Sequence, residues 1–373
     1  MISEQSFTKD WLDRVNKTLE WNRQEVQFKN LEKAIAALYL VEQLSTASIP
    51  FIFKGGTSLL LLLGKIFRLS VDVDLILEKQ ISNIEDVFTK ICIDSKLFFR
   101  FEKQIREKDS VFGTEHYLFH YRPFADDADE SHILLDLYYI GNPYAQLLEV
   151  ELISEILRSD GENVFIRMPD TDSILGDKLT AFAPETIGIP LLAEPGYRPK
   201  RVEVLKQLYD IGNLFDHANN VSSIRTTYRT IALHEIQKLG LEITCDDTLG
   251  DCLRHAYIIG HGGKIDKQIY GSIAKGYKDF NKFVSDLSFD ENHAILAAAK
   301  TAYLVKTILG SENTLEKYDR LIDMSLWEIS DKYCSDFNEY KYSNPEAFFY
   351  WFKALHSYER DNLHNTSILK NME

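Results

Sequence analysis

The 373-residue sequence predicts an α+β fold, in which a mixed sheet flanked by helices is followed by a mostly α-helical C-terminal domain. Three observations lead to this prediction. Short strand-like segments cluster between residues 51 and 140. From about 222 onward strand signals are few, and His293 to Leu309 is rich in the helix formers alanine and leucine. The composition, 45% hydrophobic and 27% charged, is that of a globular protein.

The first half of the chain alternates helical and strand patterns. Apolar residues recur at three- and four-residue steps between Leu31 and Leu44, which is typical of one face of an amphipathic helix. From Val71 to Leu77, apolar residues alternate with Asp72, Asp74 and Ile76, as in a strand with two different faces. The other elements predicted here are a strand at 51–53, a turn at 54–58, a helix opening at 59–63, a helix at 84–95, and strands at 98–104, 116–123 and 132–140.

From about residue 146 the pattern becomes helical. Helices are predicted at 172–183 and 202–216, and the segment between them contains four prolines. Long loops of this kind are often functional. The expected organisation is a core at 1–150 with N-terminal helices, a helical extension at 151–221 that completes the active site, and a helical domain at 222–373.

Composition narrows the class of protein. The apolar run Leu59 to Leu63 is far shorter than the roughly 20 residues that a membrane span needs. The N-terminus lacks the apolar region of a secretory signal, and four cysteines are too few for a disulfide framework in a chain of this length. We therefore expect a cytoplasmic protein without a membrane partner. Its net charge of −15 argues against a broad nucleic-acid-binding surface, although a local basic patch could still serve.

Asp72 and Asp74 are the first candidates for chemistry. Because they stand two residues apart on a predicted strand, their carboxylates project from one face, where like charges repel unless something neutralises them. Magnesium prefers oxygen ligands and commonly uses one or two carboxylates together with substrate phosphates. An isolated Asp-x-Asp is more often the solvated face of an edge strand, so the surrounding residues decide between the two interpretations.

A glycine-rich segment precedes the two aspartates. Lys54-Gly55-Gly56-Thr57-Ser58 stands between the predicted strand at 51–53 and the helix that follows. Glycine lets the backbone approach a ligand closely, and a helix N-terminus offers N–H groups and a positive dipole end to an anion. The P-loop pattern Gly-x-x-x-x-Gly-Lys-[Ser/Thr] is absent. The segment therefore predicts a phosphate cradle of another kind beside a metal site.

Three more polar residues belong to this pattern. Asp136 is the one acidic residue in the apolar strand 132–140, where an unpaired carboxylate would be unfavourable. Either it completes a three-carboxylate metal cluster and accepts the proton of an attacking hydroxyl, or it forms a salt bridge with an arginine. Arg68 and Ser70 come just before the carboxylate strand, and Arg68 either binds a phosphate or holds Asp72 or Asp74 in place.

The combined string resembles a known family. Lys54 to Ser58 followed by Arg68-x-Ser70-x-Asp72-Val73-Asp74 is similar to the start of the AbiEii/AbiGii toxin-type nucleotidyltransferases, which belong to the DNA polymerase β-like nucleotidyltransferase superfamily. Their signature is a Gly-Gly-[Thr/Ser] turn followed by Arg-x-Ser-x-Asp-[Leu/Ile]-Asp. The resemblance covers about 30–220 and implies that the mixed sheet is a nucleotidyltransferase sheet.

Two downstream motifs extend the resemblance. The segment 177–181 matches the family's [Asp/Glu]-Lys-Leu-x-Ala, and 206–211 matches Lys-Asp-Leu-Tyr-Asp-Leu with Gln in place of the first Asp. The match implies that Lys178 contacts the nucleotide triphosphate and that Asp210 supports the active site. Without the family, Lys178 would be a solvated charge, and Lys206 and Asp210 an exposed helix pair contributing about 0.3–0.5 kcal/mol.

Residues 197–206 form a basic patch in an otherwise acidic chain. They include Arg198, Lys200, Arg201 and Lys206 against the single acid Glu203. The patch either contacts the triphosphate or a nucleic-acid backbone, or is a solvated loop.

Together, residues and resemblance predict a magnesium-dependent transfer of a nucleoside monophosphate from an NTP to an acceptor hydroxyl, with Mn²⁺ as an alternative metal. Asp72, Asp74 and Asp136 would hold the metal. The resemblance implies a tRNA 3′ end or a protein hydroxyl as acceptor, and a toxin of a toxin–antitoxin or phage-defence system with an antitoxin encoded nearby. The alternatives are a non-catalytic nucleotide-binding or interaction protein, and transfer to a small molecule such as an antibiotic.

Overall fold

The computed structural model describes residues 1–19, 25–105, 113–126, 128–192, 199–284 and 289–356, with the backbone alone at 25–27. The chain divides into two compact units. Among the described residues, unit 1 comprises Met1–Asp170 with 282–284, and unit 2 comprises Thr171–Asn281 with 289–356. The three-part division at 150 and 221 stays a prediction. No described helix combines the length and the apolar character that crossing a bilayer requires.

Unit 1 contains the predicted sheet. Its described helices are α1 (Lys9–Thr18), α2 (Glu25–Thr46), α3 (Gly55–Leu62) and α4 (Ile84–Asp94). Its described strands are β1 (Ile52–Lys54), β2 (Val73–Leu77), β3 (Phe98–Gln104), β4 (Thr114–Tyr121), β5 (Ser131–Tyr139), β6 (Leu147–Glu151) and β7 (Phe165–Pro169). The helices predicted at 31–44 and 84–95 and the strands at 98–104, 116–123 and 132–140 are thus confirmed.

The first five strands form one mixed sheet in the order β1-β2-β5-β4-β3. β2 and β5 run parallel, and the other neighbouring strands are antiparallel. Because side chains alternate between the two faces, one face is apolar and packs in a single core with α2 and α4. Phe88 of α4, for example, makes edge-to-face contacts with Tyr117 and Phe119 of β4. The opposite face carries the polar residues.

Three predictions for unit 1 are wrong in detail. The chain does not become helical at 146, because β6 and β7 pair as an antiparallel hairpin. The carboxylate strand begins at Val73, so Asp72 lies just before it. Residues 54–58 are not a separate turn, since α3 begins at Gly55. In each case a pairing or packing partner distant in sequence sets the boundary, and local periodicity does not report it.

Unit 2 is helical. Its described helices are α5 (Thr171–Ala181), α6 (Arg201–His217), α7 (Val221–Leu239), α8 (Cys245–Gly260), α9 (Lys267–Ala274), α10 (Tyr277–Phe280), α11 (Glu291–Leu309), α12 (Tyr340–Ser343) and α13 (Pro345–His356). The helices predicted at 172–183 and 202–216 are confirmed. α11 contacts α6, α8 and α13 and is buried along most of its length, which its alanines permit because small side chains allow close approach.

The prediction that unit 2 stays helical is wrong at 310–334, which contains no helix. Three aspartates favour turns over helix from residue 319 onward. The carboxylates of Asp319, Asp323 and Asp331 each accept a hydrogen bond from the backbone N–H two residues later, at 2.8–2.9 Å. Such Asx turns compete with helical hydrogen bonds.

Candidate active site

One row of residues crosses the polar face of the sheet in unit 1. Each residue is the Cα partner of the next on the neighbouring strand, and the row reads Lys54, Asp74, Asp136, His116 and Gln104. Asp74 and Asp136 occupy its centre, directly opposite each other on parallel strands. Like charges placed opposite each other in a sheet are unfavourable. The centre of the row is therefore a place that favours a cation.

The two central carboxylates have different neighbours. Asp136 Oδ1 lies 2.6 Å from Nδ1 of His116, and the two side chains are 14% and 8% exposed. The hydroxyl of Tyr138 donates a hydrogen bond to Asp74 Oδ1 at 3.4 Å. The ammonium of Lys54 lies 5.1 Å from the centre of the Tyr138 ring. The side chain that contacts Asp136 is thus a histidine rather than the arginine considered from the sequence.

The backbone of Gly55 lies against the Asp74 carboxylate. Gly55 opens α3 with a φ of +79°, in the left-handed region that glycine adopts most easily. A Cβ at this position would stand 2.2 Å from Asp74 Oδ2, so the Asp74 carboxylate would have to move away from α3. Glycine is therefore required here for both its φ angle and its lack of a side chain.

Gly56 likewise has no side chain at a point where Arg68 and Ser70 lie close to the backbone of α3. A Cβ on Gly56 would lie 2.6 Å from Nη2 of Arg68 and 2.7 Å from Oγ of Ser70. Arg68 is only 6% exposed, and its Nη1 donates to the Leu69 carbonyl at 3.0 Å. The first turn of α3 thus has Asp74 on one side and Arg68 with Ser70 on the other. The structure brings these predicted nucleotide-binding residues together.

Thr57 and Ser58 are buried in the same turn. The Thr57 hydroxyl donates to the backbone carbonyl of Asp72 at 2.5 Å, which ties α3 to the start of the carboxylate strand. The Ser58 hydroxyl donates to the Gly55 carbonyl at 2.8 Å. Both hydroxyls therefore shape the turn, and the part of Ser58 in the predicted phosphate cradle stays a prediction.

Asp72 differs from its two partners. It is exposed, whereas Asp74 is half-buried. Asp72 also affects the pKa of His132 on β5. Burial lowers this pKa, and the charges of Lys33 and His120 lower it further, whereas the negative charge of Asp72 raises it. Within the described residues, no group of three or more His, Cys, Asp and Glu side chains is gathered as a metal site.

Lys178 and Asp210 lie in unit 2 and are paired with each other. Lys178 Nζ is 2.9 Å from Asp210 Oδ2, and the side chains are 8% and 2% exposed. Lys178 belongs to α5 and Asp210 to α6, so the pair joins two helices. The alternative of a solvated Lys178 is wrong, because its side chain is buried, and so is that of an exposed pair between Lys206 and Asp210, because Asp210 is buried.

The predicted basic patch is described only in part. Lys200 is exposed and precedes α6, and Nε of Arg201 donates to the Ser272 hydroxyl at 3.1 Å. Lys206 is partly buried on α6. Arg198 lies outside the described residues.

A family model provides the decisive comparison. The model described as "Nucleotidyl transferase AbiEii toxin, Type IV TA system" matches residues 38–296, more than half of the chain. The chain belongs to the AbiEii nucleotidyltransferase toxin family. The resemblance stated from the sequence is confirmed, and the match includes every predicted site residue. The protein is therefore a nucleotidyltransferase of a type IV toxin–antitoxin family, a class of enzyme that generally uses divalent metals and whose members act with an antitoxin partner and an NTP substrate.

Solved structures give more distant likenesses. The chain is similar to MenT4, a nucleotidyltransferase toxin from Mycobacterium tuberculosis H37Rv, at 14% identity and a TM-score of 0.46, over 81% of this chain and 99% of that one. It is also similar to an antigenic nucleotidyltransferase-like protein from Paracoccidioides brasiliensis, at 15% identity and a TM-score of 0.33, over 58% of this chain and 96% of that one. No curated protein matches.

Sequence reasoning missed two residues of the site. His116 and Tyr138 contact the central carboxylates, yet each reads as an ordinary member of a strand. The available signal was weak, because His116 follows Thr114 and Glu115 at the polar start of β4 and looks like part of it. Which carboxylate it would face depends on strand register, which the sequence does not state.

Proposed function

We propose that this family member catalyses magnesium-dependent transfer of a nucleoside monophosphate from an NTP to an acceptor hydroxyl. The observation that carries the proposal is the juxtaposition of Asp74 and Asp136 on neighbouring strands, with the Gly55–Gly56 turn of α3 against Asp74. A carboxylate pair beside a helix N-terminus suits a nucleotide triphosphate bound together with a cation.

The donor set fits a magnesium ion. Asp74, Asp136 and Asp72 offer only carboxylate oxygens, the ligand type that Mg²⁺ prefers, and Mn²⁺ would be accepted by the same oxygens. Mg²⁺ commonly takes one or two protein carboxylates and completes its shell with phosphate oxygens and water. A preassembled cluster of three acids is therefore not needed. When bound, the ion offsets charge that develops on the phosphates.

The chain's own residues would divide the remaining tasks. The acceptor oxygen attacks the α-phosphorus of the NTP, the bond from that phosphorus to the bridging oxygen breaks, and pyrophosphate leaves. We assign the hydroxyl proton to the Asp136 carboxylate. Backbone N–H groups at Gly55 and Gly56, with Arg68 and Ser70, would bind the phosphates, and Lys178 would offset charge on the pyrophosphate with Asp210 holding it.

For the acceptor we propose a tRNA 3′ end, on the strength of the family. Transfer to tRNA would arrest growth in the cytoplasm as part of phage defence, and a neighbouring gene would encode the antitoxin. A winged-helix regulator encoded immediately upstream would support this role. Transfer to a protein hydroxyl or to an antibiotic is the competing possibility, and an acceptor screen separates them.

The test is direct labelling. Each of the four α-³²P-labelled NTPs is incubated with the purified protein, Mg²⁺, and total tRNA, cell protein or an aminoglycoside panel. We expect label in tRNA, none with EDTA, and loss of at least about 100-fold in Asp74→Asn and Asp136→Asn, since these changes remove charge that holds the metal. Labelling of protein or antibiotic alone would overturn the tRNA assignment.

The enzyme proposal itself fails on a different outcome. If no acceptor is labelled, and Asp74→Asn arrests growth on expression as strongly as the wild type, then toxicity does not depend on this site. Because Asn is nearly isosteric with Asp, the Asp74→Asn protein should fold as the wild type does, and circular dichroism of the variant checks this.

A further inference from the structure

His116 stands at a distinctive point in the polar row of the sheet. It is the Cα partner of Asp136 on β5, and Asp136 is in turn the Cα partner of Asp74 on β2. His116 is therefore one strand removed from the proposed metal-binding pair, on the side away from Asp74. It is among the buried polar residues of the chain, at 7% exposure.

The contact between His116 and Asp136 is short and specific. Nδ1 of His116 lies 2.6 Å from Oδ1 of Asp136, and both side chains are largely withdrawn from water. The terminal torsion of an aspartate is broad, so a carboxylate without a partner turns easily about its Cβ–Cγ bond. A hydrogen bond of this length fixes that torsion. With Oδ1 bonded to His116, Oδ2 is the second oxygen that Asp136 presents.

We propose that His116 is a positioning residue that holds the Asp136 carboxylate in the orientation needed to bind the catalytic metal ion. The inference rests on the proposed function. Carboxylates and imidazoles that surround a metal commonly depend on such outer hydrogen bonds, and removing the outer partner weakens metal binding or activity about 10–100-fold. His116 itself touches neither substrate nor metal in this assignment.

His120 offers a matched control on the same strand. It is 5% exposed and occupies the same face of β4, four residues after His116. Its Nδ1 lies 2.6 Å from Oε1 of Glu130 rather than from an acid of the polar row. His120→Leu thus removes a buried histidine and its carboxylate contact from the same strand, but leaves Asp136 untouched.

Three variants separate the position of the hydrogen-bond donor at residue 116 from the volume of its side chain. In His116→Asn, the amide nitrogen occupies about the place of Nδ1 and keeps the donor, whereas in His116→Gln the donor moves one bond further out. His116→Leu keeps much of the volume and removes the donor. Mn²⁺ alone serves as the probe, with its free concentration measured by electron paramagnetic resonance. Labelled transfer across a magnesium titration gives the Mg²⁺ concentration for half-maximal rate separately from kcat.

We expect His116→Leu and His116→Gln to weaken Mn²⁺ binding, and to raise the Mg²⁺ requirement, about 10-fold or more. His116→Asn should stay within about threefold of the wild type, and His120→Leu should leave both quantities unchanged. If His116→Leu does not fold, the Asn and Gln variants decide the matter. Equal metal requirements in Asn, Gln and wild-type proteins would overturn the inference.

The experiments distinguish a failure of this inference from a failure of the proposed function. If the wild type transfers label and the His116 variants share its metal requirement, the inference alone is wrong. If Asp74→Asn and Asp136→Asn also bind Mn²⁺ as the wild type does, and no protein transfers label, both are wrong. A loss in His120→Leu equal to that in His116→Leu would reduce the role of His116 to general support of the strand.

Discussion

At the scale of single residues, the site depends on the close approach of polar side chains to the α3 backbone as much as on their charge. Asp74 is functional in our assignment because Gly55 lets α3 begin against its carboxylate, and Gly56 does the same for Arg68 and Ser70. The sequence motif contains the glycines and the acids together for this steric reason. A similar restriction acts at Gly176 of α5, where a Cβ would stand 2.7 Å from the Ile224 carbonyl of α7.

Replacing Gly55 tests the close approach. Gly55→Ala should abolish transfer, because the new Cβ displaces the Asp74 carboxylate. Gly64→Ala is the control, since Gly64 also has a positive φ, of +64°, but no atom lies within 4 Å of its added Cβ. Both variants should lose about 1–2 kcal/mol of stability from left-handed backbone strain. Labelled transfer and urea unfolding measure the two effects, and an active Gly55→Ala protein would contradict the steric argument.

At the scale of elements, the helices of unit 2 are joined by buried charge and by small residues. The pair of Lys178 on α5 with Asp210 on α6 is nearly inaccessible to water. Breaking a buried ion pair is strongly unfavourable because it leaves one charge uncompensated, whereas replacing both partners with apolar groups is often neutral. This contrast allows the structural and the catalytic roles of Lys178 to be measured separately.

A double-mutant cycle makes that separation. Lys178→Met should lower the free energy of unfolding by about 3–5 kcal/mol, and Lys178→Met with Asp210→Leu should recover most of the loss. Transfer should remain absent in the double variant if Lys178 binds the triphosphate. Recovery of activity along with stability would show that the lysine matters only for folding.

Gly176 provides a second prediction for α5. Gly176→Ala should lower the free energy of unfolding by about 1–3 kcal/mol, because the nearest atoms are backbone atoms of α7 that cannot easily move. Gly271→Ala in α9 is the matched control, since its Cβ would meet no atom within 4 Å. That variant should gain up to about 1 kcal/mol from the higher helix propensity of alanine. Thermal unfolding of both proteins measures the opposite signs.

At the scale of the whole molecule, stability should depend on pH through buried lysines. Lys306 on α11 is 4% exposed, and its burial lowers its pKa from 10.5 to about 8; burial has the same effect on Lys317. Between these two pH values the unfolded chain binds more protons than the folded one. The free energy of unfolding contributed by each lysine therefore rises as the pH increases from about 8 toward 10.5.

Lys306→Met isolates this effect. At pH 7 the variant should be more stable than the wild type by up to about 3 kcal/mol, since a shift of one pKa unit corresponds to about 1.4 kcal/mol. The difference should shrink as the pH rises toward 10. Urea unfolding at both pH values measures it, and Lys278→Met, at an exposed position, is the control. A difference that does not change with pH would exclude titration of Lys306 as its cause.

Local sequence was sufficient for most elements of this protein. The apolar periodicity of α2 and the strand-like segments at 98–104, 116–123 and 132–140 gave correct elements because burial on one face acts over a few residues. It failed for the β6–β7 hairpin and for 310–334, where a partner strand or Asx turns override periodicity. The nucleotidyltransferase family was also accessible from the sequence, because its motif is contiguous around α3 and β2.

The sequence by itself therefore determined the family, the types of most elements, and the acids and glycines of the candidate site. Only the tertiary structure decided that Asp74 stands opposite Asp136, that His116 contacts Asp136, and that Lys178 pairs with Asp210. The physical reason is register. A one-residue slip between two strands would turn a side chain to the other face, and no local pattern shows which residues of distant strands or helices stand opposite each other.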